Sequence, residues 1–172
     1  MKIVFLGLLS AFLMLSGCAG TNGESDQDVG TGKEVDVKQP APLARQITAS
    51  DYCGLTAPGL VYLDSLNALQ AFRSLNGQML SLDSASSLDF QREHLLVVAM
   101  GRKNTGGYGL TLADAAMKNS TLAVTTRVHS PAPDSMVTQA LTTPCVVLAV
   151  TANDWDKVVV RGDGLINMTR AR

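Results

Sequence analysis

Hydrophobic positions divide the chain into three regions. Residues 3–15 are an apolar run, a polar stretch follows from Ala19 to about Arg45, and from Gln46 short apolar runs are broken by turn residues. In the third region, residues 59–63 read as a strand. Leu66, Leu69, Phe72 and Leu75 fall at helical spacing, which predicts one amphipathic helix over residues 65–75. Asp64 or Ser65 is placed to cap it and Asn76-Gly77 to end it. Residues 94–100 form a continuous, β-branched apolar run, as a strand buried on both faces would. Tyr108, Leu110 and Leu112 alternate with Gly109, Thr111 and Ala113, the pattern of a half-buried strand. The cleanest alternation puts Leu122, Val124, Thr126 and Val128 on one face and Thr121, Ala123, Thr125, Arg127 and His129 on the other. Residues 145–150 are a second buried run, and residues 157–161 a final strand. The predicted class is α+β, mainly β: a compact antiparallel sheet or sandwich with one early amphipathic helix. Residues 46–172 are one domain's worth of chain, with no internal repeat.

The first region has the layout of a secretory signal, Lys2 ahead of a short apolar stretch. It is too short for a comfortable membrane span of about 20 residues. It ends in Leu15-Ser16-Gly17-Cys18, which resembles the bacterial lipobox. That resemblance implies removal of residues 1–17 as a lipoprotein signal peptide and attachment of lipid to Cys18. Ala19 follows, with no Asp there, which by the same resemblance favours the outer membrane, facing the periplasm or the cell surface, if the cell has one. Residues 18–45 then read as the lipidated Cys and a flexible tether. They are rich in Gly, Asp and Glu with almost no large apolar residues, and bury too little apolar area to offset the entropy of ordering. As a flexible coil the tether spans about 26–31 Å.

Charge narrows the function. Loss of residues 1–17 removes Lys2, so 14 basic groups become 13 against 15 acidic ones, a net charge of −2. A nucleic-acid surface needs a basic excess. The two histidines, His94 and His129, are far apart, so no zinc site is expected, and no other metal or cofactor. Cys53 and Cys145 are expected to pair in an oxidising compartment; buried free thiols or a redox couple are the alternatives, the latter disfavoured by the lack of a C-x-x-C arrangement. No G-x-S-x-G elbow is present, and the histidines stand at strand ends, where such groups are usually solvated or hydrogen-bonded. Asp154 and Asp156 flank Trp155, which reads as a turn with the indole capping the core. Asp83, Asp89 and Asp163 lack calcium-loop spacing. No catalytic residue is expected and the chain is read as no enzyme, with an uncharacterised hydrolase or ligand-binding domain as the alternative.

Two loops carry the remaining signal. Between the strands at 94–100 and 108–113, the loop with Arg102, Lys103, Asn104, Thr105, Gly106 and Gly107 is longer than the two residues a tight hairpin requires. Its glycines serve either geometry or function. The second, Ser130-Pro131-Ala132-Pro133-Asp134, is either a recognition surface or a rigid connector, the connector slightly favoured.

Three motifs in order then resemble the PrcB C-terminal domain family over roughly residues 90–150. They are residues 101–112 around Thr105-Gly106-Gly107-Tyr108, then Ser130 to Asp134, then Met136-Val137-Thr138-Gln139-Ala140-Leu141-Thr142-Thr143-Pro144-Cys145. That family is named for an accessory lipoprotein of a secreted, surface-located protease complex. The resemblance implies a module that binds or supports a protein partner, a protease among the candidates, rather than a catalyst. Cys145 stands where an aromatic commonly follows the proline, a departure that favours local pinning by a disulfide. Asn104-Thr105-Gly106-Gly107-Tyr108 is also similar to the partner-facing turn of chagasin-type cysteine-protease inhibitors, which implies inhibition as an alternative, although their later Arg-Pro-aromatic loop is not evident. The binding-loop candidates are thus Arg102, Lys103, Asn104, Thr105, Gly106, Gly107 and Tyr108, with Pro131 and Pro133 on the second surface. Arg102 and Lys103 would supply charge complementarity. Tyr108 shares a face with Leu110 and Leu112, so a core contact is favoured over an aromatic anchor. The expected partners are a membrane, through the anchor, and a protein at the cell envelope, with no nucleic acid.

Overall fold

The computed structural model describes residues 41–172. The segment read as a signal peptide, Cys18 and most of the segment read as a tether lie outside the described residues. The elements are β1 (Ala44–Ser50), β2 (Pro58–Leu63), α1 (Leu66–Arg73), β3 (Glu93–Met100), β4 (Gly109–Lys118), β5 (Thr121–His129), β6 (Cys145–Thr151), β7 (Lys157–Arg161) and β8 (Met168–Ala171). They build two four-stranded sheets with orders β1-β6-β3-β2 and β4-β5-β7-β8, a mainly β sandwich as the alternation predicts. One pairing departs from the antiparallel expectation: β5 and β7 run parallel. The chain between them passes through β6 in the other sheet, and that excursion supplies the crossover a parallel pair requires.

The continuous apolar runs of β3 and β6 follow from a third layer. On one face Leu96, Val98, Val146, Leu148 and Val150 pack against Leu110, Leu122, Val124, Val158 and Val160 of the second sheet. On the other face Leu95, Val97, Ala99 and Val147 pack beneath Leu69 and Phe72 of α1 and beneath Leu80, Leu82 and Ala85. With both faces covered, alternation is lost from the first sheet, because full burial of each Leu or Val contributes about 1.5–3 kcal/mol wherever it points. The second sheet is covered on one face only and keeps the alternation, with β5 placing Thr125 and Arg127 in solvent.

Helix α1 is shorter than the predicted 65–75. Ser65 caps it, its Oγ accepting from the Ala68 N–H at 3.3 Å. Leu69 and Phe72 are buried, but Leu66 and Leu75 are 48% and 54% exposed. The apolar stripe is therefore satisfied by two side chains, and the chain leaves the helix at Ser74. Strand β4 runs on to Lys118, past its expected end, with an irregularity between Leu112 and Asp114. It turns into β5 through Asn119 and Ser120, both at positive φ (47° and 54°), as a two-residue hairpin requires. Strand β1 begins two residues inside the segment read as tether. Cys53 and Cys145 form a disulfide, Cα–Cα 6.2 Å, spanning 92 residues of sequence.

Candidate functional site

The loop after β3 is not a hairpin turn, because β3 and β4 belong to different sheets. It carries the chain from one layer of the sandwich to the other, which explains why two residues would not suffice. Gly101 starts the crossing at φ +74°, and a Cβ there would lie 2.7 Å from Pro58 N and Cδ, so only glycine fits. The Arg102 N–H then donates to the Thr56 carbonyl at 3.0 Å.

From Lys103 on, the loop is seated on the segment that leads into β6. Lys103 and Thr142 exchange backbone hydrogen bonds at 2.8 and 2.9 Å, and the Gly106 N–H donates to the Thr138 carbonyl at 2.9 Å. The hydroxyl of Thr142, a residue only 2% exposed, donates to the Thr105 carbonyl at 2.8 Å. Gly107, at φ +85°, lies against the proline loop, where a Cβ would come within 3.1 Å of both Pro131 Cβ and Val137 Cγ1. The two loops picked out separately in the sequence are thus one composite surface. Four hydrogen bonds, three between backbone groups and one from the Thr142 hydroxyl, join the crossing loop to the segment at 138–142 and hold its shape. The Thr105 carbonyl and Gly106 N–H, central to the inhibitor-like turn, are engaged in this packing.

What remains outward is a mixture of cation and apolar side chain. Arg102, Asn104 and Pro133 are exposed. Met136 is fully exposed and Leu141 is 61% exposed. Lys103 is half-buried, its Nζ 5.3 Å from the centre of the Tyr108 ring. Tyr108 itself packs against the core between the sheets. A depression of about 280 Å³ beside Arg102 and Lys103 is lined by Pro58, Met100, Leu165 and Ile166. Ile166 carries little signal in the sequence, only the short apolar pair Leu165-Ile166 between Gly164 and Asn167 in a turn-rich stretch.

The histidines lie elsewhere. His94, read as a strand-end group, is buried at 7% exposure and hydrogen-bonded at both ring nitrogens. Its Nε2 meets the Phe90 carbonyl at 3.1 Å, so that nitrogen donates and Nδ1 accepts from the Tyr62 hydroxyl. Burial, and next the nearby Arg172 charge, hold the His94 pKa below the ordinary imidazole value, while burial raises that of Tyr62. His129 is exposed, with Nε2 3.3 Å from Thr111 Oγ1. Trp155 is buried as read, its indole N–H donating to the Thr151 carbonyl at 2.7 Å. Among the described residues, no group of three His, Cys, Asp or Glu is placed to hold a metal ion.

No curated protein and no solved structure matches the chain. A family model does: the one described as PrcB C-terminal matches residues 95–151, close to the span of the resemblance noted in the sequence. The matched segment takes in β3 from Leu95, the crossing loop, β4, β5, the proline loop and β6, about a third of the chain, and over that segment the chain is similar to the PrcB C-terminal family.

Proposed function

We propose that this chain is an accessory module that binds a protein partner, a protease or its precursor, through the composite surface of residues 101–108 and 131–142. It is held at the cell envelope by lipid on Cys18 and by the tether. The observation that carries the reading is the docking of the two loops on each other. Both fall inside the segment matching a family of accessory rather than catalytic type. A rigid backbone platform presenting Arg102, Asn104, Met136 and Leu141 combines a charged rim with apolar contacts, which suits a protein interface. Lys103 adds charge beside Tyr108. The glycines and Thr142 have a structural role here, and recognition falls to the side chains around them.

The test is site-specific photocross-linking in intact cells. A cross-linker at Arg102 or Met136 is expected to trap the same envelope protease, and one at Thr125, exposed on the outer face of the second sheet, to trap none. The double variant Arg102→Ala, Lys103→Ala should abolish the cross-link from Met136. It should shift the melting temperature by no more than about 6 °C, since the exposed Arg102 contributes within about 0.5 kcal/mol and the half-buried Lys103 a contact with Tyr108 of about 0.5–1 kcal/mol. Equal cross-linking from all three positions, or capture unchanged in the double variant, would sink the assignment of this surface.

A further inference from the structure

At the opposite end of β3 the sandwich opens in a cleft of about 600 Å³. The cleft is separate from the loop surface. Six residues of strand lie between His94 and Gly101, which are therefore about 23 Å apart along extended chain. Its walls include Tyr62 of β2, Phe90, His94, Asn153, and the pair Arg170 and Arg172 at the end of β8. Residues two apart on an extended strand share a face, and both arginines line the cleft. Their guanidinium carbons sit 5.8 Å from the Tyr62 ring centre and 5.5 Å from the Trp155 ring centre. Neither makes an ion pair among the described residues, where the salt bridges are Arg45–Glu93, Arg73–Asp83 and Arg92–Asp89.

Stacking on an aromatic face orients a guanidinium and turns its N–H edge toward a planar oxyanion; Arg172 also reaches the Tyr62 hydroxyl, which engages part of its edge and leaves Arg170 the freer of the two. The rest of the wall selects among oxyanions. The imidazole of His94 is engaged by Tyr62 and Phe90, so the positive charge of the cleft comes from the two arginines. Asp64 also lines the cleft; it disfavours a dianion and offers an acceptor to a ligand N–H. Tyr62 and Phe90 supply aromatic surface beside the charge. The volume is in the range of small-ligand sites.

We propose that this cleft binds the free α-carboxylate end of a peptide. Arg170 and Arg172 hold the carboxylate, the Tyr62 and Phe90 surfaces take the terminal apolar side chain, and Asp64 accepts from a peptide N–H. The inference does not depend on the loop surface, and the two sites can be filled together.

Calorimetric titration of the purified protein with N-acetyl-Ala-Ala-Phe, as free acid and as C-terminal amide, tests it. Trp155, the chain's one tryptophan, lies beneath Arg172 and reports occupancy by fluorescence. The free acid is expected to saturate and to perturb Trp155, with the amide at least about tenfold weaker. Arg170→Gln and Arg172→Gln should each weaken the free acid by about tenfold or more at unchanged melting temperature. Amide shifts of Tyr62, His94 and Arg170 on adding the free acid to the unaltered protein locate the site without any variant. Equal binding of acid and amide, or no binding up to about 5 mM acid, overturns the proposal. So does propionate binding as tightly as the peptide, which would make the ligand a small carboxylic acid. Inorganic phosphate displacing the peptide at lower concentration overturns the choice of carboxylate.

Discussion

Opening the Cys53–Cys145 disulfide is the perturbation whose magnitude the structure sets most directly. The bridge spans 92 residues, so in the chain-entropy relation it restrains the unfolded chain by about 4.6 kcal/mol at 25 °C. Both cysteines are buried, at 0% and 1% exposure, and the reduced thiols keep their places in the packing beneath α1. Reduction therefore isolates the loop term from the cavity term that a Cys→Ala change would add. For roughly 130 folded residues the unfolding entropy is about 0.27 kcal/mol/K, so a loss of 4.6 kcal/mol lowers the melting temperature by about 17 °C. Because the bond is buried, the protein is reduced in urea and refolded with the reductant present. Urea titrations followed by Trp155 fluorescence then compare the two forms. The denaturant slope should rise on reduction, since the unfolded chain, freed of its loop, exposes more surface. A reduced form melting within about 5 °C of the oxidised one, with the same slope, would refute the reasoning. The bridge also neighbours the loop surface: the Cys53 N–H donates to the Thr143 carbonyl at 3.1 Å, next to the Thr142 that anchors the crossing loop. Faster hydrogen exchange at Lys103 and Thr142 in the reduced form is the local counterpart.

Three further outcomes are expected. Gly107→Ala should destabilise by about 1–3 kcal/mol, because φ is +85° and its Cβ would press on Pro131 and Val137, whereas Gly106→Ala, with ordinary 3.5 Å contacts, should cost under about 1 kcal/mol; equal urea midpoints for the two would contradict this. His94 has a folded pKa below its unfolded value, so the unfolded state binds more protons. Stability is then full above about pH 6.5 and declines as pH falls through the lowered pKa, and His94→Gln should flatten the difference between urea midpoints at about pH 7.5 and 5.5; an unaltered slope in the variant would exclude His94 as its source. Cys18→Ala should abolish incorporation of labelled fatty acid and move the protein from the membrane to the soluble fraction; retention of the variant in the membrane would remove the anchor from the proposal.

Much of this protein is legible in one dimension because its physical cause is local. Alternation in β5, the unbroken β-branched runs of β3 and β6, and the Ser65 cap of α1 are determined by residues within a few positions of each other. The three ordered motifs also pointed to the family that residues 95–151 match. What depends on distant partners was not legible. Strands β1 and β8 have weak patterns of their own, and pairing with β6 and β7 makes them strands. The hairpin-like interval between β3 and β4 hides a change of sheet, since alternation says which face is buried but not against which layer. The union of the two candidate loops rests on hydrogen bonds from Lys103 to Thr142 and from Gly106 to Thr138, across more than thirty residues of sequence. The arginine-lined cleft likewise joins β2, the start of β3 and the end of β8, which meet only because two sheets close over one core. Local propensity acts along the chain, while sites are assembled by packing, and packing brings together residues between which the sequence carries no pattern.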